Sequence, residues 1–505
     1  MFDFLLSLTL FNATVLLVPF FVVTYFGLKA YNSIWLSCAS FLHPDVEFVR
    51  YSTVRTLLDT HRNQGIVSVL LSVRGRDHPE AVKRHLHEVV NRREKSGNLA
   101  FPRLQHSLVT RCGIYAWQRS KFDLEQHVTL AKFTYKGRAV TEFNIQEYVS
   151  EIISKYLPSG ISPWQLIIIP TSEDHHYILL KIHHILLSEG VNIGDLLPLI
   201  PPTRPSTGLK YCPYPHTLVG VFYTYVPLLV GSLKEVLGIL RLIFLAPRTI
   251  IQDILMQEES MQTITLCGRK AVAWSDPVKL ESIKNLAKNL GVSETEVILS
   301  SVAMCLSKYF SQVEDTIPKE LPITMRNINS NYLFATGPQV KFYDSMSGII
   351  CLNLPVVDPQ SDVTQLENLK LIEGKFKLAL EKQGVSHLLT SLQTRAGVLT
   401  MFLPSTFASI YLKYLSRKYV VTVTELTNRY PNVTQRTLWG QEVDSVIYWR
   451  PPQANTSISL CVNEYADHVK LGVMCDAQLV PHHPFLARGF PQFVKALEDA
   501  VSVNA

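Results

Sequence analysis

Residues 181–197 read KIHHILLSEGVNIGDLL: two adjacent histidines close an apolar run, and a helix-like segment follows. Side chains along a strand alternate between faces. In an extended run His184 therefore shares a face with Ile178, Leu180 and Ile182, and His183 falls with Tyr177, Leu179 and Lys181. On that reading the two rings diverge and do different jobs, a shared zinc ion is not expected, and no HExxH pattern occurs. A histidine at a strand end, entering a helix N-terminus, presents an imidazole with a reference pKa of about 6.5, suited to general-base work. The alternative is a hydrogen-bonded core histidine. His175 and His176 read as turn residues in the TSEDHH connection of a hairpin between the strands QLIIIP and YILLKIHH.

Working outward, GIVSVLLSV (65–73) has the character of a strand, and PEAVKRHLHEVVNRR (79–93) that of an amphipathic helix with Pro79 in its first turn. The proline cluster PLIPPTRPSTG (198–208) breaks regular structure and marks a boundary. Beyond it, 218–246 is apolar but interrupted by Pro227, Lys234, Glu235 and Arg241, which suits a helix lying in a bilayer interface; a buried core helix is the alternative. SDPVKLESIKNLAKNLG (275–291) predicts a helix with Pro277 at its start and Gly291 at its end. SETEVILSSVAMCLSKYF (293–310) adds a capping-box pattern, Ser293 to Glu296, before a second helix. GIICLNLPV (348–356) and SISLCVNEYADHVKLGVMCD (457–476) read as strands, the latter as two around a short turn, and FLARGFPQFVKALEDAV (485–501) as a closing helix. Strands and helices mixed in both halves predict an α/β architecture.

The chain has 505 residues, room for about two to four units of ordinary size. Charged residues make up only 18% and the mean hydropathy is positive, so some apolar surface is expected to face lipid. A net charge of +6 without a Lys/Arg block argues against nucleic acid as a partner and fits attraction to anionic lipid head groups. The eight cysteines, at 38, 112, 212, 267, 305, 351, 461 and 475, have neither CxxC nor paired metal spacing and read as free thiols. From Phe4 to Leu28 the chain is uncharged and apolar, long enough to span a hydrocarbon core of about 30 Å. A secretory signal peptide would want a basic start and a shorter apolar run, so an uncleaved anchor is expected. Lys29, Arg50 and Arg55 follow it with no positive charge before, which places the rest in the cytosol and leaves the sequons at Asn432 and Asn455 unused. GxSxG, Walker and GxGxxG patterns are missing, which takes support from serine-hydrolase, phosphoryl-transfer and dinucleotide chemistry and leaves direct transfer.

At this point the sequence resembles a known family. KIHHILLSEGVNIGDLL is similar to the HHxxxDG region of the bifunctional wax ester synthase/diacylglycerol acyltransferase family, in the chloramphenicol-acetyltransferase-like superfamily. FDLEQHV (122–128) resembles its FDLxxHV segment and SPWQL (162–166) its PLWEL segment. NLGVSETEVILSSVAMCLSKYF resembles the helix carrying its NDV motif, LPITMR (321–326) its PVSVR segment, and LTNRYPNVTQRTLWGQEV its SNVPGP region. The likeness runs over roughly residues 50–500 in the correct order.

The resemblance implies two acyltransferase subdomains, each a mixed sheet with flanking helices, and a tunnel between them. It implies His184 as the base that deprotonates an alcohol attacking an acyl-CoA thioester, beside His183. The implied segments are an anchor at 1–45, a first subdomain at 46–205 with the HH motif, a linker at 206–262 and a second subdomain at 263–505. Acyl-CoA is then a co-substrate, with no resident cofactor or metal. The acceptor is a long-chain alcohol or diacylglycerol, and the setting is a lipid bilayer, that of the endoplasmic reticulum or the plasma membrane.

The sequence departs from the family at several sites. Without a gap, the Asp and Gly of HHxxxDG fall on Ser188 and Glu189; with a one-residue shift they fall on Glu189 and Gly190. In the family that aspartate holds the site's shape through an ion pair, a task Ser188 cannot perform and Glu189 can. The Asn and Asp of NDV fall on Thr295 and Glu296, and Asn428 is the counterpart of the SNVPGP asparagine. Thr295 still offers a hydroxyl donor, while Glu296 also fits a plain capping role. These changes motivate a second expectation, a catalytically silent relative that binds or shuttles lipid.

Overall fold

The computed structural model describes residues 2–49, 59, 64–200 apart from 113 and 173, 240, 241, 244, 245, 247, 248, 266–313, 319–334, 336, 349–357, 364–382, 419–427, 435–452, 456–479 and 482–504. In chain order the principal elements are helix α1 (Phe2–Leu42), β1 (Ile66–Arg74), α2 (Pro79–Val90), β2 (Val128–Leu130) and α3 (Ile145–Ser154). The hairpin β3 (Trp164–Ser172) and β4 (His175–His183) follows, then the one-turn α4 (His184–Ser188). The second half adds β5 (Lys270–Trp274), α5 (Leu280–Leu290), α6 (Glu294–Val313), β6 (Glu320–Asn329), β7 (Ile350–Pro355) and α7 (Gln365–Lys382). It closes with β8 (Val421–Thr427), β9 (Gln441–Trp449), β10 (Ile458–Tyr465), β11 (His468–Asp476) and α8 (His483–Asn504).

Two mixed sheets organise these elements. The first runs Thr437–Leu438, β9, β1, β4, β3, β2; the second runs β5, β11, β10, β8, β6, β7, with Val278–Lys279 paired on β11. The first sheet's central strands are apolar on both faces. Val67, Val69 and Leu71 join Ile178, Leu180 and Ile182 in one buried cluster, while Leu70, Leu179 and Ile447 pack in another with α3. The α/β expectation therefore holds, and one strand joins the two halves of the chain. β9 belongs by sequence to the stretch assigned to the second subdomain, yet it pairs antiparallel with β1, Ile447 opposite Leu70. Without β9 the apolar β1 would be an unpaired edge. β9 also lies close on the second sheet: a Cβ on Gly472 of β11 would stand 2.9 Å from Trp449 Nε1 and 3.1 Å from Ile447 Cγ2.

Two local expectations are corrected. His175 and His176 lie inside β4, opposite Arg74 and Val73, because a tighter turn and an irregularity between Pro170 and Ser172 leave them within the ladder. The helix expected from Pro277 starts at Leu280, since Val278 and Lys279 are held extended by pairing with Val469 and His468. Gly291 ends that helix at φ 69°, where a side chain would be strained. The described cysteines are all free thiols; Cys212 lies outside the described residues.

α1 is 41 residues, about 60 Å at 1.5 Å per residue, and long and apolar enough to cross a membrane. Leu16, Val23 and Phe41 on it are 80, 71 and 86% exposed. Most of the apolar stretch 218–246, like the sequons at 432 and 455, lies outside the described residues. Its described end packs on the first turns of α1: Phe244 meets Phe4 and Phe11 at ring distances of 5.9 and 5.4 Å, and Arg248 pairs with Asp3 at 2.5 Å.

Candidate active site

The ladder carries the chain to the site. Ile66 of β1 stands opposite His183, the His183 N–H donates to Pro163 O at 2.9 Å, and the His184 N–H donates to Gly65 O at 3.0 Å. β4 ends at His183, whose Nδ1 accepts from the Ile185 N–H at 3.3 Å and so caps α4. The strand's alternation does not survive this change of backbone. The two rings, expected to diverge, stack with centroids 4.8 Å apart and an interplanar angle of 26°.

Both rings turn the same nitrogen to one carboxylate. His184 Nε2 lies 2.8 Å and His183 Nε2 3.4 Å from Asp59 Oδ2, with all three side chains buried. Because His183 Nδ1 accepts from a backbone N–H, its proton sits on Nε2, facing Asp59. The short contact from His184 Nε2 to a carboxylate oxygen likewise needs a proton on that nitrogen. The lone pair of His184 then lies on Nδ1, which is buried and makes no hydrogen bond among the described residues. Burial, reinforced by His184, pushes His183 down to about 3 despite Asp59, so it stays neutral. The ring of Tyr115 meets His183 edge-on at 5.8 Å. The three donor atoms lie within 4.8 Å of one another, so the same group could hold a metal ion, contrary to the expectation drawn from divergence.

Asp59 sits in RTLLDTHRNQG, a stretch with no spacing that marks it, and its partners lie more than a hundred positions away. Only its nearness to β1 could have drawn attention to it. Ser188 donates its hydroxyl to His184 O at 3.0 Å and so closes α4. Glu189 faces Arg103, with 3.8 Å between Glu189 Oε2 and Arg103 Nε; Arg103 also pairs with Glu47 at 2.5 Å and covers the Trp117 ring. Burial raises the Glu189 carboxyl and Arg103 opposes the rise. Gly190 follows at φ 96°. The aspartate at the end of the stretch, Asp195, is buried 3.5 Å from Arg92.

The NDV counterparts form a separate group. Thr295 Oγ1 donates to Glu425 Oε2 of β8 at 3.1 Å. Glu296 Oε2 accepts from the Ser293 N–H at 2.7 Å and the Ser293 hydroxyl at 2.8 Å, so its carboxylate is spent on the helix cap. Glu425 was missed by sequence reasoning; burial pushes it up to about 7, against the Thr295 hydrogen bond. Asn428 lies outside the described residues. Two other segments meet directly, since His127 of FDLEQHV stacks on Trp164 of SPWQL at 4.4 Å and bonds its carbonyl at 2.8 Å. Both halves contribute to the packing around α4: Ile185 and Leu186 share a buried cluster with Ile328 of β6 and Leu426 of β8.

Residues 347–498 match the family model of the WS/DGAT C-terminal domain. Over these residues the chain is similar to that domain. The matched residues hold β7 through β11, and with them Glu425 and the strand that completes the first sheet. Among solved structures, the wax ester synthase/diacylglycerol acyltransferase from Marinobacter aquaeolei VT8 superimposes with a TM-score of 0.54 at 15% identity, covering 90% of this chain and 100% of that one. That likeness shows the fold. The first condensation domain of the CDA synthetase gives 0.47 at 10% identity, covering 93% and 94%. No curated protein matches the sequence.

Proposed function

We propose that the protein is a membrane-anchored O-acyltransferase that moves a fatty acyl group from acyl-CoA to a long-chain alcohol or diacylglycerol. The observation that carries this reading is the buried His184, held through Nε2 by Asp59 and with Nδ1 open, in a WS/DGAT fold. The acceptor's hydroxyl donates to Nδ1. As its oxygen bonds to the thioester carbonyl carbon, the proton passes to His184 and the charge on the ring is met by Asp59. Collapse of the tetrahedral adduct breaks the C–S bond, and the proton on Nδ1 leaves with the CoA sulfur. Ester and free CoA result. General-base help of this kind is worth about 10²–10⁴ in rate.

α1 fits an anchor that keeps the site beside lipid substrates, at the endoplasmic reticulum or plasma membrane. Incubating membranes bearing the protein with labelled long-chain acyl-CoA and a panel of long-chain alcohols and diacylglycerols tests the proposal. Labelled wax ester or triacylglycerol is the expected product, and failure to esterify any acceptor would remove the reading in favour of a lipid-binding role.

A further inference from the structure

Between the two sheets lies a small cavity that the acyl-transfer mechanism does not use. Ser68 of β1, Lys155 just after α3 and Lys270 of β5 line it, with Gln64 at the approach to β1. The Lys270 side chain is only 8% exposed, and its Nζ makes no hydrogen bond among the described residues. The acid beside it, Asp476, stands 4.0 Å away. That carboxylate is already engaged by the N–H groups of Gly268 at 2.7 Å and of Cys267 and Gln478 at 3.1 Å. Ser68 is fully buried and its hydroxyl is also without a hydrogen bond among the described residues.

Lys181, the register partner of Ser68 on β4, adds a second buried ammonium that donates to Ile152 O at 3.0 Å and Lys155 O at 2.5 Å. Two buried ammonium groups and a hydroxyl are thus brought together from both halves of the chain, with Lys181 held by carbonyls alone and Lys270 facing only the distant, already engaged Asp476. Buried polar groups are kept when a partner satisfies them, and a charge needs one most. Burial pushes both lysines down, Lys181 to about 8, a displacement that a bound anion reverses.

We propose that this cavity is an anion subsite, taking one phosphate-class group against Lys270 Nζ and Ser68 Oγ with Lys155 at its mouth. Two sources supply that chemistry, the phosphates of acyl-CoA and free inorganic phosphate. The binding claim stands apart from the acyl-transfer reading; only attribution to acyl-CoA rests on it.

The test follows thermal unfolding of the full chain in detergent micelles, titrated with inorganic phosphate, CoA or pantetheine at matched ionic strength. Phosphate is expected to raise the midpoint saturably, and Lys270→Met to weaken that response at least tenfold while Lys270→Arg retains it. If Lys270→Met does not fold, Ser68→Val against the native protein makes the same comparison. A tenfold loss for CoA with no loss for pantetheine assigns the group to the donor. Equal midpoints for CoA and phosphate assign it to the free ion. Native protein and Lys270→Met (or Ser68→Val) responding alike to both phosphate and CoA would overturn the proposal. Since no turnover is read, that failure leaves the acyl-transfer reading untouched.

Discussion

One oxygen of Asp59 accepts from Nε2 of His184 and lies 3.4 Å from Nε2 of His183, and the tautomer of His184 follows from the first contact. In the proposed mechanism Asp59 is a positioning residue, acting on the substrates only through the ring. Asp59→Asn removes the charge that balances a protonated His184, so kcat is expected to fall about 10²–10⁴-fold with KM for acyl-CoA changed less than about threefold. Steady-state kinetics check that split, and partial recovery in Asp59→Glu separates it from loss of structure. Glu425 gives a different handle. Its pKa is raised to about 7 from an ordinary 4.5, so the folded chain holds this proton more tightly than the unfolded one. The resulting stability is full below the unfolded value, declines as pH rises between the two, and is gone above about 7, a span of about 3 kcal/mol at most. Denaturant midpoints measured at about pH 5 and about pH 8 should converge in Glu425→Gln.

At the scale of elements, the helix α1 and the apolar stretch that ends near Arg248 were each legible from composition, but their meeting was not. The pairs Phe4–Phe244 and Asp3–Arg248 put both segments on the same side of any bilayer that α1 crosses. An exposed ion pair is worth about 0.2–1 kcal/mol. Cysteines placed at Phe4 and Phe244 should cross-link in membranes, and adding Arg248→Glu should lower the yield up to about fivefold. An unchanged yield would show that the ion pair does not hold the contact. Local signals served the elements well wherever hydrogen bonds are local, as in the capping box at Ser293 and the 457–476 hairpin. They failed at His183, where the alternation rule was carried one residue too far. A capping bond from Ile185 turns the chain there, and both rings swing to Asp59.

For the whole molecule, β9 matters most. It leaves the second sheet after β8, completes the first beside β1, and returns into β10. A segmentation by composition finds the apolar strand but not its partner, because pairing between residues 70 and 447 leaves no local mark. Asp59 escaped for the same reason. The order of family-like segments carried the fold and His184 as candidate base, while Glu296 proved to be a cap and Thr295 a partner of Glu425. Through β9 the residues matched by the family model are tied by β1 and β4 to the histidine turn. The central claim is that His184 is the base in acyl transfer. Its most direct test is the initial rate of labelled acyl transfer from acyl-CoA by native and His184→Ala protein in the same membranes, with folding checked by equal thermal midpoints. The account predicts a fall of about 10²–10⁴-fold, and a His184→Ala rate equal to the native one would contradict it.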